Sequence, residues 1–225
     1  MSYIFDIIIE GLRQLSKGGI LMIPLLICSI ISHAIIFERL YNLRKSKLMP
    51  QRFIAKIYKV LEKGNPDIAL SLCESHPGPL TNILKAGIAN RHLDEKDLKV
   101  VIDFAARPEK KRLEKFLRVL AFLGGVAVLI GLLGTVSGMF MSFTFVFKSS
   151  SSGATSLVAK GISVALLTTV AGLAVALPSM IAYAYFTSKV DDIINDMTRH
   201  SISLVRYLTT GRSRLIEHQA EQSED

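Results

Sequence analysis

Two threonines in otherwise apolar stretches are the residues of this 225-residue chain that invite a chemical reading. Thr135 lies in Gly131-Leu-Leu-Gly-Thr-Val-Ser-Gly138, and Thr169 in Gly161-Ile-Ser-Val-Ala-Leu-Leu-Thr-Thr-Val-Ala-Gly-Leu-Ala-Val-Ala-Leu-Pro178. Steps of three and four from Thr135 collect Gly124, Val128, Gly131, Gly138 and Ser142 on one helical face. The same count from Thr169 collects Ala165, Gly172, Ala176, Ser179 and Tyr183. A smooth stripe carrying a hydroxyl has two uses. It lets apolar helices approach closely, the threonine bonding the carbonyl one turn back, or it forms the polar side of an ion path. Spacing alone leaves both open.

The elements that hold these residues are membrane spans. Val119 to Phe147 and Gly161 to Ser188 contain no charged side chain, and Gly18 to Phe37 contains His33 as its one ionisable group. Each is long enough to cross a hydrocarbon core of ~30 Å. Thr135 and Thr169 lie ~24 and ~29 Å of helix from the same side of the membrane, at similar depth. Neither span holds a carboxylate, histidine, lysine or arginine, so a proton crossing there needs a titrating group from another chain. His33, about one turn from the end of its span, reads as a snorkelling or packing histidine or as a proton carrier.

The net charge of +8 follows topology. Arg39, Arg44, Lys45, Lys47, Arg52 and Lys56 follow the first span, and Lys110, Lys111, Arg112, Lys115 and Arg118 precede the second, whereas the linker between the second and third carries Lys148 and Lys160. The positive-inside rule places 38–118 in the cytoplasm, the N-terminus and the 148–160 linker outside, and the C-terminus inside. The basic residues lack interleaved aromatics, which argues against nucleic-acid binding. The expected fold is therefore all-α and polytopic: a periplasmic amphipathic helix (1–17), spans at 18–37, 119–147 and 161–188, a cytoplasmic helical region (38–118), a periplasmic loop (148–160) and a cytoplasmic C-terminal helix and tail (189–225).

Within the leader, Ile4, Ile8, Leu12 and Leu15 form an apolar stripe that suits the membrane surface or a neighbouring subunit. The first span is expected to remain as an anchor, since no cleavage pattern precedes its basic flank. In the cytoplasmic region, Lys63-Gly-Asn-Pro66 divides two short helices, His76-Pro-Gly-Pro79 is a turn before a helix over Leu80 to Ala89, and Asp94 can open another. Arg107-Pro108 is expected to kink or interrupt that one, leaving a helix from about Glu109 to Phe147. Ser149 to Gly153 reads as a flexible loop, and the tail after Gly211 as frayed.

No nucleophile-base set and no Cys/His metal spacing occurs, so neither catalysis, a metal nor a cofactor is expected. Cys28 and Cys73 lie on different sides of a membrane boundary by this topology, which argues against a disulfide.

Glu38-Arg39 closing span one, the two long motifs of spans two and three, and the turn Cys73-Glu-Ser-His-Pro-Gly-Pro79 together resemble the ExbB/TolQ/MotA proton-channel family, nearest its ExbB and TolQ members. The resemblance covers nearly the whole chain. It implies a homopentamer in the bacterial inner membrane whose small-residue faces line a pore around a single-span ExbD/TolR-type partner. That partner carries the membrane aspartate, flanked by the threonines matching Thr135 and Thr169, with Gly131, Gly138, Ser142, Ala165, Gly172 and Ala176 in the lining and Glu38 and Arg39 at the interface. It further implies an effector of TonB or TolA type. Val164 stands where such members usually have glutamate, and Val128 where a proline commonly occurs. A passive scaffold, in which the stripes only pack helices, is the competing reading; a membrane enzyme is a remote third.

Overall fold

The structure, a computed structural model, describes residues 19–63, 65–148 and 154–221. The amphipathic leader lies outside them. All regular elements among the described residues are helices: α1 (Met22–Asn42), α2 (Lys45–Leu48), α3 (Gln51–Glu62), α4 (Pro66–Ser75), α5 (Pro79–Ala89), α6 (Glu95–Lys148) and α7 (Ala154–Glu221). Three of them, α1, α6 and α7, contain segments long and apolar enough to cross a membrane, with mean hydropathies of 1.7, 2.5 and 2.1.

Several boundaries depart from the sequence expectation. Gly19 adopts φ +76°, a conformation glycine enters without steric cost, and its carbonyl accepts the Met22 amide at 3.2 Å. α1 therefore begins at Met22, four residues after Gly18, which leaves Pro24 in its first turn where a missing N–H costs nothing. It passes Glu38-Arg39 and ends at Asn42, because backbone hydrogen bonding continues after the apolar run stops. Pro108 does not interrupt α6, which runs unbroken from Glu95. Glu95 and Asp97 favour the N-terminal dipole, the Leu98 amide donates to the Asp94 carbonyl at 2.8 Å, and buried Ile102, Ala106 and Leu113 hold both sides of the proline. α7 starts at Ala154, so the helical chain extends well into the expected 148–160 loop; Ser149 to Gly153 lie outside the described residues. It also continues through Gly211 to Glu221. A single glycine costs a helix only about 1 kcal/mol, and good helix formers follow it.

The chain divides into two compact units, and α6 and α7 contribute to both. The first comprises residues 19–39 and 116–185. Here Met22 and Leu25 of α1 pack with Ala127 of α6 and Ala176 of α7. Cys28, Ser32 and Arg39 continue the buried face of α1 at spacings that keep them on one side. Arg39, 6% exposed, pairs with Glu38 at 3.0 Å, and its guanidinium stands 4.9 Å over the Phe116 ring. The outward faces are large and apolar, with Ile30, Phe37, Phe140 and Ile181 exposed.

The second unit comprises residues 40–115 and 186–221. Leu43, Met49, Ile57, Ile83, Ile88 and Ile102 are fully buried, as are Phe186, Met197 and Leu204. Space at Gly87 is what lets α5 lie close to α6 and α7: a Cβ there would meet Val205 at 3.0 Å and Ile102 at 3.2 Å. Ion pairs join the long helices and tie in the short ones. Lys110 reaches Asp191 at 2.6 Å, and that hydrogen bond pushes its ammonium pKa up; Lys45 bonds Asp196, holding the carboxyl below its usual range. Burial raises the Cys73 thiol to about 11, against an opposing pull from Lys85. Glu109, 8% exposed, accepts a hydrogen bond from Asn82 Nδ2 on Oε1 at 2.7 Å.

Candidate functional site

Glycines decide where α6 and α7 approach within the first unit. A Cβ at Gly131 would lie 3.3 Å from Thr169 Cα, one at Gly138 2.6 Å from Ala165 Cβ, and one at Gly172 2.7 Å from the Ala127 carbonyl oxygen. The backbones therefore run almost in contact. Ser142, 4% exposed, donates to the Gly138 carbonyl at 2.9 Å and lies 3.3 Å from the Val158 carbonyl across the seam. Ala176, 1% exposed, completes the far end. Gly131, Gly138, Ser142, Ala165, Gly172 and Ala176 are thus brought together as a buried helix–helix seam.

Thr135 and Thr169 occupy its margin, each half-buried. Thr169 Oγ1 donates across the seam to the Gly131 carbonyl at 3.0 Å. Thr135, one turn along from Gly131, donates to the Leu132 carbonyl at 2.7 Å. It also borders a cavity of about 330 Å³ lined with Met139, Ser142, Phe143, Ile162 and Leu166. With both hydroxyl protons directed at backbone carbonyls, what the pair presents to a visitor is oxygen lone pairs. Such groups accept from water or from a protonated carboxyl; to donate to a carboxylate, each must first rotate off its carbonyl.

Two seam residues escaped the counting from Thr135 and Thr169. Gly134 faces Thr168, whose side chain fills the space a Cβ would need, and Thr168 is 1% exposed and donates to the Val164 carbonyl at 2.8 Å. The glycine set Gly131, Gly134 and Gly138, taken by itself, marks the face of closest approach. Val164 is half-buried and within 3.8 Å of where a Cβ on Gly19 would stand, while Val128 is 38% exposed. His33 is exposed on α1, its Nδ1 2.8 Å from the Ser29 carbonyl, which a protonated Nδ1 donates to. Among the described residues no group of three or more His, Cys, Asp or Glu could hold a metal ion.

Three helices with apolar spans, two of them joined through a glycine seam with hydroxyls at its edge, define a multi-pass membrane protein. A family model for the MotA/TolQ/ExbB proton channel family matches residues 75–199. Similar proteins include a putative biopolymer transport protein, ExbB homolog, of Methanothermobacter thermautotrophicus, 26% identical over 89% of this chain and 73% of that one. Others are biopolymer transport protein exbB1 of Vibrio cholerae, 30% identical over 76% of this chain and 77% of its own, and the Tol-Pal system protein TolQ of Pseudomonas aeruginosa, 28% identical over 78% and 80%. The chain belongs to the MotA/TolQ/ExbB proton channel family. It is a proton channel subunit of the ExbB/TolQ kind, a transport protein and not an enzyme, and membership implies partners of the ExbD/TolR and TonB/TolA kinds.

Proposed function

We propose that this chain is the ring-forming subunit of a motor driven by the proton gradient. Five copies enclose a single-span ExbD/TolR-type partner, and protons cross at that partner's membrane carboxylate beside Thr135 and Thr169. The observation that carries the reading is the placement of the two hydroxyls on the neighbouring Leu132 and Gly131 carbonyls at the seam margin, in spans without an ionisable group. The seam residues Gly131, Gly138, Ser142, Ala165, Gly172 and Ala176 fix the spacing of the two helices that carry them. By the charge asymmetry, 38–118 and 189–225 are cytoplasmic, with Glu38 and Arg39 at the interface, and the N-terminus and 148–160 are periplasmic. Names of relatives that read biopolymer transport protein support an ExbB-like role energising a TonB-type effector; the TolQ relative supports a TolA-type one as the alternative.

The test is proton flux into liposomes holding the subunit with its partner. Thr135→Val and Thr169→Val keep side-chain shape and remove the hydroxyl. Each is expected to lower flux about tenfold or more, one lost polar contact of ~1.4 kcal/mol at the barrier. Wild-type flux in both assembled variants overturns the role. The competing scaffold reading draws on the seam being a packing device. It predicts no gradient-dependent flux in any variant and loss of assembly alone on disrupting the glycines.

A further inference from the structure

The second unit holds a cavity of about 750 Å³ that the proton path does not use. Three cations line it: Lys47, Arg52 and Lys56. Arg52 and Lys56 are four residues apart on α3, so they share a face, and neither forms an ion pair among the described residues. The Lys47 ammonium is held by Asn42 Oδ1 at 2.6 Å and stands 4.9 Å over the Tyr41 ring, which fixes it in place without neutralising it. No aspartate or glutamate is among the described lining residues. The nearby acid Glu74 is already paired with Lys85 at 2.5 Å.

Backbone donors add to the cations. The first turns of α3 and α5 both reach the cavity, through Arg52 and through Leu80 and Thr81, while the Phe53 amide already donates to the Pro50 carbonyl at 3.0 Å. Neither N-cap, Pro50 or Gly78, offers a side-chain bond, and Thr81 Oγ1 turns back to donate to the Gly78 carbonyl at 2.8 Å. The Asn82 amide makes the first bond to Gly78, so the amides of Leu80 and Thr81 have no partner within the helix. Both termini present the positive end of a dipole. His76 closes the wall: its ring is 5.2 Å from Phe53, and Nδ1 meets Ser75 Oγ at 2.9 Å, which leaves Nε2 for a ligand. Apolar Leu48 and Phe53 supply the remaining surface.

We infer that this cavity binds a phosphate-bearing anion through Lys47, Arg52, Lys56 and the amide ends of α3 and α5. The phosphate belongs either to an acidic phospholipid headgroup or to a soluble phosphate compound. The chain favours access to lipid: Lys47 is ten residues beyond Phe37, where the apolar run of α1 stops, five of them helical at ~1.5 Å each and five at most ~3.6 Å each. The site shares no residue with the proton path, and its test needs neither gradient nor partner.

Full-length protein purified in detergent is titrated with phosphatidylglycerol, phosphatidylcholine or inorganic phosphate and bound ligand is counted by native mass spectrometry. Arg52→Gln/Lys56→Gln is expected to weaken the anionic ligand roughly tenfold or more. Arg52→Lys/Lys56→Arg retains binding, and Lys96→Gln/Lys99→Gln, which removes equal charge from an exposed stretch, leaves it unchanged. Selective phosphatidylglycerol binding that inorganic phosphate does not displace identifies a lipid site. Phosphate binding lost in the Gln pair, without preference between the two lipids, identifies a soluble ligand. Equal affinities in the Gln pair and in Lys96→Gln/Lys99→Gln, for lipid and phosphate alike, overturn the inference.

Discussion

Gly172 and Gly125 make a matched pair for testing whether α6 and α7 meet backbone to backbone. A Cβ at Gly125 meets nothing within 4 Å, whereas one at Gly172 would stand 2.7 Å from the Ala127 carbonyl oxygen and 3.0 Å from Gly131 Cα. These are main-chain atoms, so no rotamer change relieves the clash; the helices must part. Restoring an ordinary contact of ~3.4 Å requires roughly 0.7 Å of separation. The Thr169 to Gly131 hydrogen bond, now 3.0 Å, would stretch to about 3.7 Å and be lost, since it spans the same seam. Overpacking costs about 1–3 kcal/mol, and the lost bond adds about 0.5–1 kcal/mol. Gly125→Ala, by contrast, gains up to about 1 kcal/mol in helix propensity. Equilibrium unfolding of the two alanine variants in mixed micelles should separate them by about 2–4 kcal/mol. Equal stability would refute the close approach and with it the placement of Thr169 against Gly131.

The second unit supports three further tests. In a Cys28→Ala background, Cys73 with its pKa raised to about 11 is mostly thiol at pH 8, and maleimide labelling should run ~100-fold slower than for an ordinary thiol near 9, recovering in denaturant. Asn82→Ala removes the donor to buried Glu109 and should cost about 1–3 kcal/mol by urea unfolding, with Asn82→Asp worse because it sets two carboxylates together. Lys45 holds the Asp196 carboxyl below its ordinary 3.8, so this pair's contribution is full above that value and is lost as pH falls from there through the lowered folded-state value. Because Lys45 is well exposed and Asp196 partly so, Asp196→Asn should cost no more than ~0.5 kcal/mol at pH 7, less in high salt and less again in acid.

Hydropathy made the three spans legible, because a helix without charge over a bilayer's width has no polar face to turn to water. It made the helix ends illegible. Hydrogen bonding in α1 runs through Arg39, which is buried against Phe116, and burial of Ile102 and Leu113 carries α6 past Pro108; both effects come from partners distant in sequence. The seam was half legible. Counting from the hydroxyls found Gly131, Gly138, Ala165 and Gly172, but shape complementarity centres the contact on Gly134 and Thr168, since only a glycine admits that side chain so close. The threonines singled out for chemistry consequently lie at the edge of the contact. Thr168, passed over, is the one in its middle.

The marginal position gives the proposed proton path a switch that shape alone would not. A carboxylic acid beside Thr135 and Thr169 finds lone pairs and is welcomed neutral; once ionised it needs donors, and the two hydroxyls must leave the Leu132 and Gly131 carbonyls to supply them. Each such exchange trades one hydrogen bond for another at a net ~1 kcal/mol, small enough to reverse on every turnover. Thr135→Ser and Thr169→Ser keep the rotating hydroxyl and remove only a methyl group, so flux should stay within about threefold of wild type, while the valine variants lose it. If serine and valine variants fell equally, the methyl packing at the seam edge would be the operative property, and the hydroxyls would have no part in moving the proton.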